Sequence, residues 1–282
     1  MASTPRIVAD GFHFLEGPRW RDGRLWVSDM HADRVVTVTP EGTVEPVVDV
    51  PTQPSGLGWL PDGRLLIVSM LDRRVLRLEG GRLVPHADLS HLATFHANDM
   101  VVDRAGRAYV GNFGYDYEAG APFTAAVLAL VHPDGRVEAV ADDLAFPNGT
   151  VITPDGRTLV VAETFRHRLT AFTIGTDGKL SGRREWASLG EQVYPDGICL
   201  DAEGAIWVAS PVTREALRVR EGGEVVDRLA IDRHVIACAL GGADGRTLFV
   251  MAAKAIPRAQ ARAQRGGCVL AVTVDVPRAG SP

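Results

Sequence analysis

The segment DGICLDAEGAIWV, residues 196–208, contains the pattern that decides the fold of this chain. A short apolar run leads to the turn sequence Ala202-Glu203-Gly204, and a run rich in β-branched and aromatic residues follows it. Glycine adopts the positive φ that tight turns require, so an apolar run, a glycine turn and a second apolar run together indicate a β-hairpin.

The same pattern occurs six times along the chain, at a nearly regular spacing. The segments begin at Glu16, Ser55, Asn98, Asn148, Asp196 and Ala237, with 39, 43, 50, 48 and 41 residues between successive starts. A repeat of about 40 to 50 residues is typical of one four-stranded propeller blade. We therefore predict an all-β, six-bladed β-propeller formed by a single domain over residues 1–282, with residues 6–10 pairing beside residues 268–274 to close the last blade.

Composition and charge exclude several classes of function. The 282 residues include 30 Lys and Arg against 35 Asp and Glu, a net charge of −5, which argues against nucleic acid or an anionic membrane as a partner. Apolar runs such as LLIV at 65–68 are too short to span a bilayer, and the N-terminus lacks the pattern of an export signal. We expect a cytoplasmic protein, and a monomer, because a closed ring has little need of a partner.

The first residues of the six segments are candidates for a functional site. Inner strands of a propeller begin near the central channel, so these residues should face a common axis. Four of them carry carboxylates or carboxamides, and such a buried polar group is costly unless something satisfies it. The residues concerned are Glu16, Asn98, Asn148 and Asp196.

A divalent cation is the simplest partner for these side chains. Glu16 and Asp196 supply two negative charges, and Asn148 adds a neutral oxygen. All-oxygen ligands favour the hard ions Ca²⁺, Mg²⁺ and Mn²⁺ over Zn²⁺. Ca²⁺ is the preferred candidate here, with Mg²⁺, Mn²⁺ or Zn²⁺ as alternatives. In the opposing interpretation, the polar residues only cap strand ends and hold water in the channel.

Five motifs in order resemble those of the senescence marker protein (regucalcin)/gluconolactonase family. They are EGPRW at 16–20, Asn98-Asp99 followed by VDRAGR at 102–107, PNG at 147–149, YPDGI at 194–198 and ALGG at 239–242. The resemblance implies a six-bladed propeller with one divalent metal in its channel, bound by Glu16, Asn148 and Asp196. It also implies that Asn98 contacts the substrate or a water beside the metal, and that the chain hydrolyses lactones, often sugar lactones.

One position departs from the family pattern. Members that act on aldonolactones commonly carry an Arg two residues before the Asn-Asp pair, and this chain has His96 there. A less polar lactone or ester therefore becomes a candidate substrate beside a sugar lactone. Asp99 follows Asn98 directly, so strand alternation predicts that its side chain points the other way and braces backbone amides.

The expected chemistry assigns a role to each residue. A metal with three protein ligands has open positions that can polarise a lactone carbonyl and acidify a water. We predict that Asp196 acts as the general base and that Asn98 donates a hydrogen bond to the developing oxyanion or the ring oxygen. Glu16 would then serve charge balance.

The connection NFGYDYEAGAPFT at 112–124 is the longest between predicted strands. We expect its aromatic residues Phe113 and Tyr115, together with His96, to bind substrate, because long loops on one face commonly build a pocket. The alternative is a loop that packs on its own aromatic side chains.

Two other functions stay open from the sequence. A propeller that binds calcium or another ligand without turnover would use the same channel oxygens. A propeller of the strictosidine-synthase type would need no metal, and three metal-type residues in the channel disfavour it.

Overall fold

Within residues 4–280, the part of the chain described by the computed structural model, 24 strands form six four-stranded antiparallel sheets. Blade 1 contains β2 (Leu15–Arg21), β3 (Arg24–Asp29), β4 (Arg34–Val38) and β5 (Val44–Asp49), and blade 2 contains β6 (Pro54–Trp59), β7 (Leu65–Ser69), β8 (Arg74–Glu79) and β9 (Arg82–Asp88). Blade 3 contains β10 (Ala97–Val102), β11 (Ala108–Asn112), β12 (Ala126–Val131) and β13 (Val137–Leu144), and blade 4 contains β14 (Pro147–Ile152), β15 (Thr158–Glu163), β16 (Arg168–Ile174) and β17 (Leu180–Ser188). Blade 5 contains β18 (Ile198–Leu200), β19 (Ile206–Ser210), β20 (Glu215–Val219) and β21 (Val225–Ala230), and blade 6 contains β22 (His234–Gly241), β23 (Thr247–Ala253), β24 (Gly267–Thr273) and β1 (Arg6–Phe12). The predicted six-bladed β-propeller is confirmed.

The repeated hairpins form the inner two strands of the blades. In the segment at 196–208, Ile198 pairs with Val208 and Leu200 pairs with Ile206 across a turn in which Gly204 has a φ of 81°. The apolar runs on both sides of the turn are buried between blades, as a stack of sheets around an axis requires.

The first and last strands of the chain complete one blade together. Strand β1 pairs antiparallel with β24, with Arg6 opposite Ala271 and Phe12 opposite Gly267. The N-terminal strand thus occupies the outer edge of a sheet whose other three strands come from the C-terminal part of the chain. This pairing closes the ring, so that every blade packs against two neighbours.

Neighbouring inner strands approach each other closely where the segments begin. A Cβ added to Gly149 would lie 2.5 Å from the carbonyl oxygen of Asp196, and one added to Gly197 would lie 2.4 Å from the Cβ of Ala237. Real Cβ atoms do not come this close to other atoms, so glycine is required after Asn148 and Asp196. The two glycines therefore allow the first residues of the inner strands of blades 4, 5 and 6 to pack closely around the channel.

The helical content of residues 4–280 is small. The α-helix α1 (Arg258–Gln264) connects β23 to β24, and single 3₁₀ turns at Met30–Ala32 and Thr164–Arg166 follow the second strands of blades 1 and 4. In this part of the chain, no helix has the length and apolar character needed to cross a membrane.

Candidate active site

The four polar residues predicted to face the channel lie together at one end of it, which we call the channel mouth. Glu16, Asn98 and Asn148 lie at the second position of β2, β10 and β14, and Asp196 lies two residues before β18. All four are buried, with exposed fractions of 4 to 9%. Each comes from a different blade, so closure of the ring is what brings them to one place.

A β-bulge follows the first residues of these inner strands. The pairing register shifts between Glu16 and Arg19 in β2, between Ala97 and Met100 in β10, and between Pro147 and Thr150 in β14. A bulge places two residues against one on the partner strand and redirects the side chains there. Strand alternation therefore fails at this point, and successive residues can both face the channel.

Asp99 shows the consequence of the bulge. Its Oδ1 lies 2.9 Å from Nη2 of Arg19 and 2.8 Å from the backbone N of Met100, which donates to it. The predicted contact with a backbone amide is present, but the main partner is a buried arginine from blade 1. The charge of Asp99 also raises the pKa of Glu16 and of Asp196, so its carboxylate is near theirs.

The mouth carries an excess of negative charge. Glu16, Asp99 and Asp196 contribute three carboxylates and Arg19 contributes one guanidinium, so their formal sum is 1 − 3 = −2 when all are ionised. Arg19 also donates to the carbonyl oxygens of Pro18 and Met100. Its cation is therefore held next to Asp99, and the charges of Glu16 and Asp196 are left without a partner of opposite sign.

Burial raises the pKa of both unpaired carboxyl groups. For Glu16, burial has the largest effect, and the charges of Asp196 and Asp99 add to it, whereas the Gly17 N–H and Arg19 oppose it. For Asp196, burial again dominates and Asp99 adds to it, while the amide of Asn148 opposes it. Two ionised carboxylates in this position would be strongly destabilising without a cation between them.

Three buried side-chain oxygens on the first residues of the inner strands have no hydrogen-bond partner within the described chain. They are Oδ1 of Asn148, Oδ1 of Asp196 and Oγ of Ser55, which lies at the second position of β6. Nδ2 of Asn148 donates to the hydroxyl of Thr164 at 3.3 Å, and that hydroxyl donates to the carbonyl oxygen of Pro195 at 2.8 Å. Thr164 thereby fixes which end of the amide is the donor, and leaves Oδ1 of Asn148 as a free acceptor.

These residues fit a hard divalent ion. Buried oxygens without donors and a local charge of −2 are what a site for Ca²⁺, Mg²⁺ or Mn²⁺ provides. Residues 4–280 contain no group of three or more His, Cys, Asp or Glu side chains arranged for a metal. A site here therefore depends on the carboxamide of Asn148 as its third protein ligand, beside Glu16 and Asp196.

Asn98 and His96 lie on the same side of the mouth. Nδ2 of Asn98 donates to the carbonyl oxygen of Pro147 at 3.3 Å, which uses one of its two N–H groups and orients the amide. The ring of His96 stacks on Phe95 with their centroids 3.9 Å apart, and burial lowers its pKa. His96 is therefore a neutral aromatic side chain at pH 7.

The loop at 112–124 combines the two predicted arrangements. Tyr115 packs edge-on against Phe123 within the loop, at 5.5 Å, whereas Phe113 stacks on Phe146 of the neighbouring blade at 4.2 Å. Tyr117 meets Phe146 edge-on at 5.5 Å, and burial, together with the charge and hydrogen bond of Glu118, raises its pKa. The loop therefore packs on itself and also on the connection that precedes Asn148.

Sequence reasoning missed several residues at the mouth. Arg19 acts through a partner far away in sequence, and Phe146, Phe165 and Tyr194 come from three different connections. The sequence contained one signal for two of these aromatic residues. Phe146 directly precedes the motif PN at 147–148, and Tyr194 directly precedes the motif PD at 195–196.

Comparison with known proteins gives the same assignment as the motifs. The model of the SMP-30/Gluconolactonase/LRE-like region matches residues 14–254. A 6-deoxy-6-sulfogluconolactonase of Pseudomonas putida is 26% identical over 95% of this chain and 93% of its own length, and a pentonolactonase of Haloferax volcanii is 28% identical over 89% and 85%. The crystal structure of a calcium-binding protein, regucalcin, from Agrobacterium tumefaciens superposes with a TM-score of 0.82 at 23% identity, over 99% of this chain and 96% of that one. The chain therefore belongs to the SMP-30/gluconolactonase/LRE-like family.

Proposed function

We propose that this protein hydrolyses lactones at the channel mouth, with a divalent metal ion held by Glu16, Asn148 and Asp196. The observation that carries the proposal is the pair of unsatisfied buried oxygens, one on Asn148 and one on Asp196, in a cluster whose formal charge is −2 when its carboxyl groups are ionised. Two relatives that match over most of the chain are named lactonases, which supports the reaction class. All three ligands are oxygens, which favours the hard ions Ca²⁺, Mg²⁺ and Mn²⁺ over Zn²⁺, and Ca²⁺ remains our first candidate.

Asp196, Asn98 and Glu16 would each have a separate role in opening the lactone ring. A bound divalent ion supplies Lewis-acid polarisation of the lactone carbonyl and makes a nearby water more acidic. A free carboxylate oxygen of Asp196 takes the proton of the water that attacks the carbonyl carbon, and that proton passes to the ring oxygen when the C–O bond breaks. The second N–H of Asn98 donates to the oxyanion, and Glu16 balances the charge.

Metal removal is expected to abolish turnover and to lower stability. A ligand present at 100 times its dissociation constant stabilises the folded state by about 2.7 kcal/mol, which corresponds to a rise in Tm of roughly 5 to 10 °C for a chain of this size. The measurement is lactone hydrolysis together with a thermal scan, after chelation and after addition of Ca²⁺, Mn²⁺, Mg²⁺ or Zn²⁺ singly.

Two variants locate the ion in this experiment. Asn148→Ala should raise the ion concentration needed for half-maximal turnover by tenfold or more. Asp62→Asn, which changes an exposed carboxylate in a turn of blade 2, should leave it unchanged. Full activity of the chelated protein would contradict the proposal, and stabilisation by ions without turnover of any lactone would favour a non-catalytic binding propeller.

A further inference from the structure

Apolar side chains surround the channel mouth on nearly every blade. The residue before Glu16, Asn98 and Asn148 pairs with the last residue of the second strand of the same blade, as Leu15 does with Asp29 and Ala97 with Asn112. The residues next to these pairs are therefore held beside the mouth, and most of them are apolar. A connected cluster contains Phe14, Met30, Met70, Phe113, Ile236, Ala253 and Ile256, from blades 1, 2, 3 and 6.

This cluster is mostly buried, and aromatic rings extend it from Phe113 across blades 4 and 5. Phe146 stacks on Phe113 at 4.2 Å and meets Phe165 edge-on at 5.1 Å, and Phe165 lies 6.4 Å from Tyr194. Tyr117 contacts Phe146 and Phe165 from the loop above, at 5.5 and 5.7 Å. Phe165, Tyr194 and Tyr117 are only partly buried, so a ligand that enters the mouth meets their faces and edges. We call Phe146, Phe165, Tyr194 and Tyr117 the aromatic wall.

The backbone at Phe146, the first residue of the aromatic wall, is strained. Phe146 has a φ of 59°, in the left-handed region that bulky residues rarely occupy, and a proline follows it. Such a conformation costs about 1 to 3 kcal/mol and is typical of functional sites. Gln53, which precedes Pro54 at the equivalent place in blade 2, has a φ of 64°. Blades 2 and 4 therefore both have a left-handed residue directly before the proline that begins the inner strand.

Three arginine side chains near the mouth are already engaged in ion pairs. Arg258 and Arg262 pair with Asp33 at 2.9 and 3.2 Å, and Arg166 pairs with Asp143 at 2.6 Å. Nε2 of His31 lies 3.1 Å from the carbonyl oxygen of Ile256. A sugar lactone needs several donors and acceptors for its hydroxyl groups, because a desolvated hydroxyl without a partner is costly. This mouth offers apolar area instead.

We propose that the substrate is a lactone with an apolar substituent, an alkyl chain or an aryl group, which lies on the aromatic wall while the lactone carbonyl faces Asn98 and Asp196. This inference rests on the proposed function and adds the substrate class. Aromatic faces bind apolar groups through burial and stacking, which requires no hydrogen-bonding groups on the substituent. The relatives that are named for sugar lactones would differ from this chain in the class of lactone that they hydrolyse.

The test compares kcat/KM for matched lactones, measured with the ion that restores most activity. δ-Valerolactone, δ-hexalactone, δ-octalactone and δ-decalactone form an alkyl series, dihydrocoumarin carries an aryl group, and glucono-δ-lactone is the polyhydroxylated member. Along the alkyl series we expect kcat/KM to rise by about fourfold per methylene until the wall is covered. δ-Decalactone and dihydrocoumarin should exceed glucono-δ-lactone by about 100-fold or more.

A variant of the wall separates binding from chemistry. Phe165→Ala should raise KM for δ-decalactone about tenfold or more, with kcat changed less than threefold. The KM for δ-valerolactone, which has no substituent to lie on the wall, should change much less. Trp59→Ala, at the far end of β6, removes an aromatic ring that stacks with Arg21 on the opposite face and should not change this selectivity. A preference for glucono-δ-lactone would overturn the substrate class while leaving the lactonase intact. Hydrolysis of none of these lactones with any ion would overturn both proposals.

Discussion

Asp196→Asn is expected to abolish lactone turnover while raising the Tm of the metal-free protein. The carboxylate of Asp196 is buried among other negative groups, and it has an oxygen without a hydrogen-bond partner. Burial raises the pKa of Asp196 to about 8, so at pH 7 the metal-free protein must either bury its charge or protonate its carboxyl group. An isosteric amide removes this cost, which should add on the order of 1 kcal/mol of stability, or about 2 to 4 °C. The same change removes the proposed base and a metal ligand, so activity should fall by about 10³-fold or more.

The stability gain distinguishes this residue from other buried aspartates. Asp29 is equally buried, but its oxygens accept from the backbone N of His13 and Phe14 and pair with Arg34. Asp29→Asn should therefore lower the Tm, the opposite direction. Thermal scans of both variants after chelation, with kinetics after metal addition, make the comparison. Wild-type turnover in Asp196→Asn would exclude Asp196 as the base, and a lower Tm without metal would contradict the charge argument.

Arg19→Met is expected to destabilise the protein by about 3 to 5 kcal/mol. The side chains of Arg19 and Asp99 are 8% and 6% exposed, and their contact is 2.9 Å long. Without the guanidinium, Asp99 becomes an unpaired buried charge beside Glu16 and Asp196, and the carbonyl oxygens of Pro18 and Met100 lose a donor. Chemical denaturation measures the loss in free energy of unfolding.

A second substitution shows whether the loss comes from the unpaired charge. Adding Asp99→Asn to Arg19→Met should recover part of the stability, because the remaining partner is then neutral. Arg24→Met removes an arginine from an exposed pair with Glu45 on the same blade and should cost less than about 1 kcal/mol. Equal losses for Arg19→Met and Arg24→Met would show that the channel pair contributes no more than a surface pair.

The architecture of this protein follows closely from its sequence. The glycine turn repeats because each blade needs a tight inner hairpin, and the spacing of the repeats fixes the number of blades. Residues such as Glu16 and Asp196 could be placed at a common axis before any coordinates, since each begins an inner strand. Their burial at one channel mouth agrees with that prediction.

The side-chain contacts at the mouth could not be predicted from the repeat pattern of the sequence. A β-bulge after Asn98 breaks the alternation that would have turned Asp99 away, and the partner of Asp99 is 80 residues distant in the chain. The orientation of Asn148 depends on Thr164, and the aromatic wall is assembled from loops of different blades. Such contacts depend on how the ring closes, and a pattern local in sequence carries no information about them. The roles of Asn98 and His96 came from family resemblance and remain predictions.

Crystals grown with Mn²⁺ and measured for its anomalous scattering would show where a divalent ion binds. We expect one strong peak in the channel, within about 2.6 Å of oxygens of Glu16, Asn148 and Asp196. A peak at another place, or an empty mouth in crystals of an enzyme that needs Mn²⁺ for turnover, would contradict the proposed site.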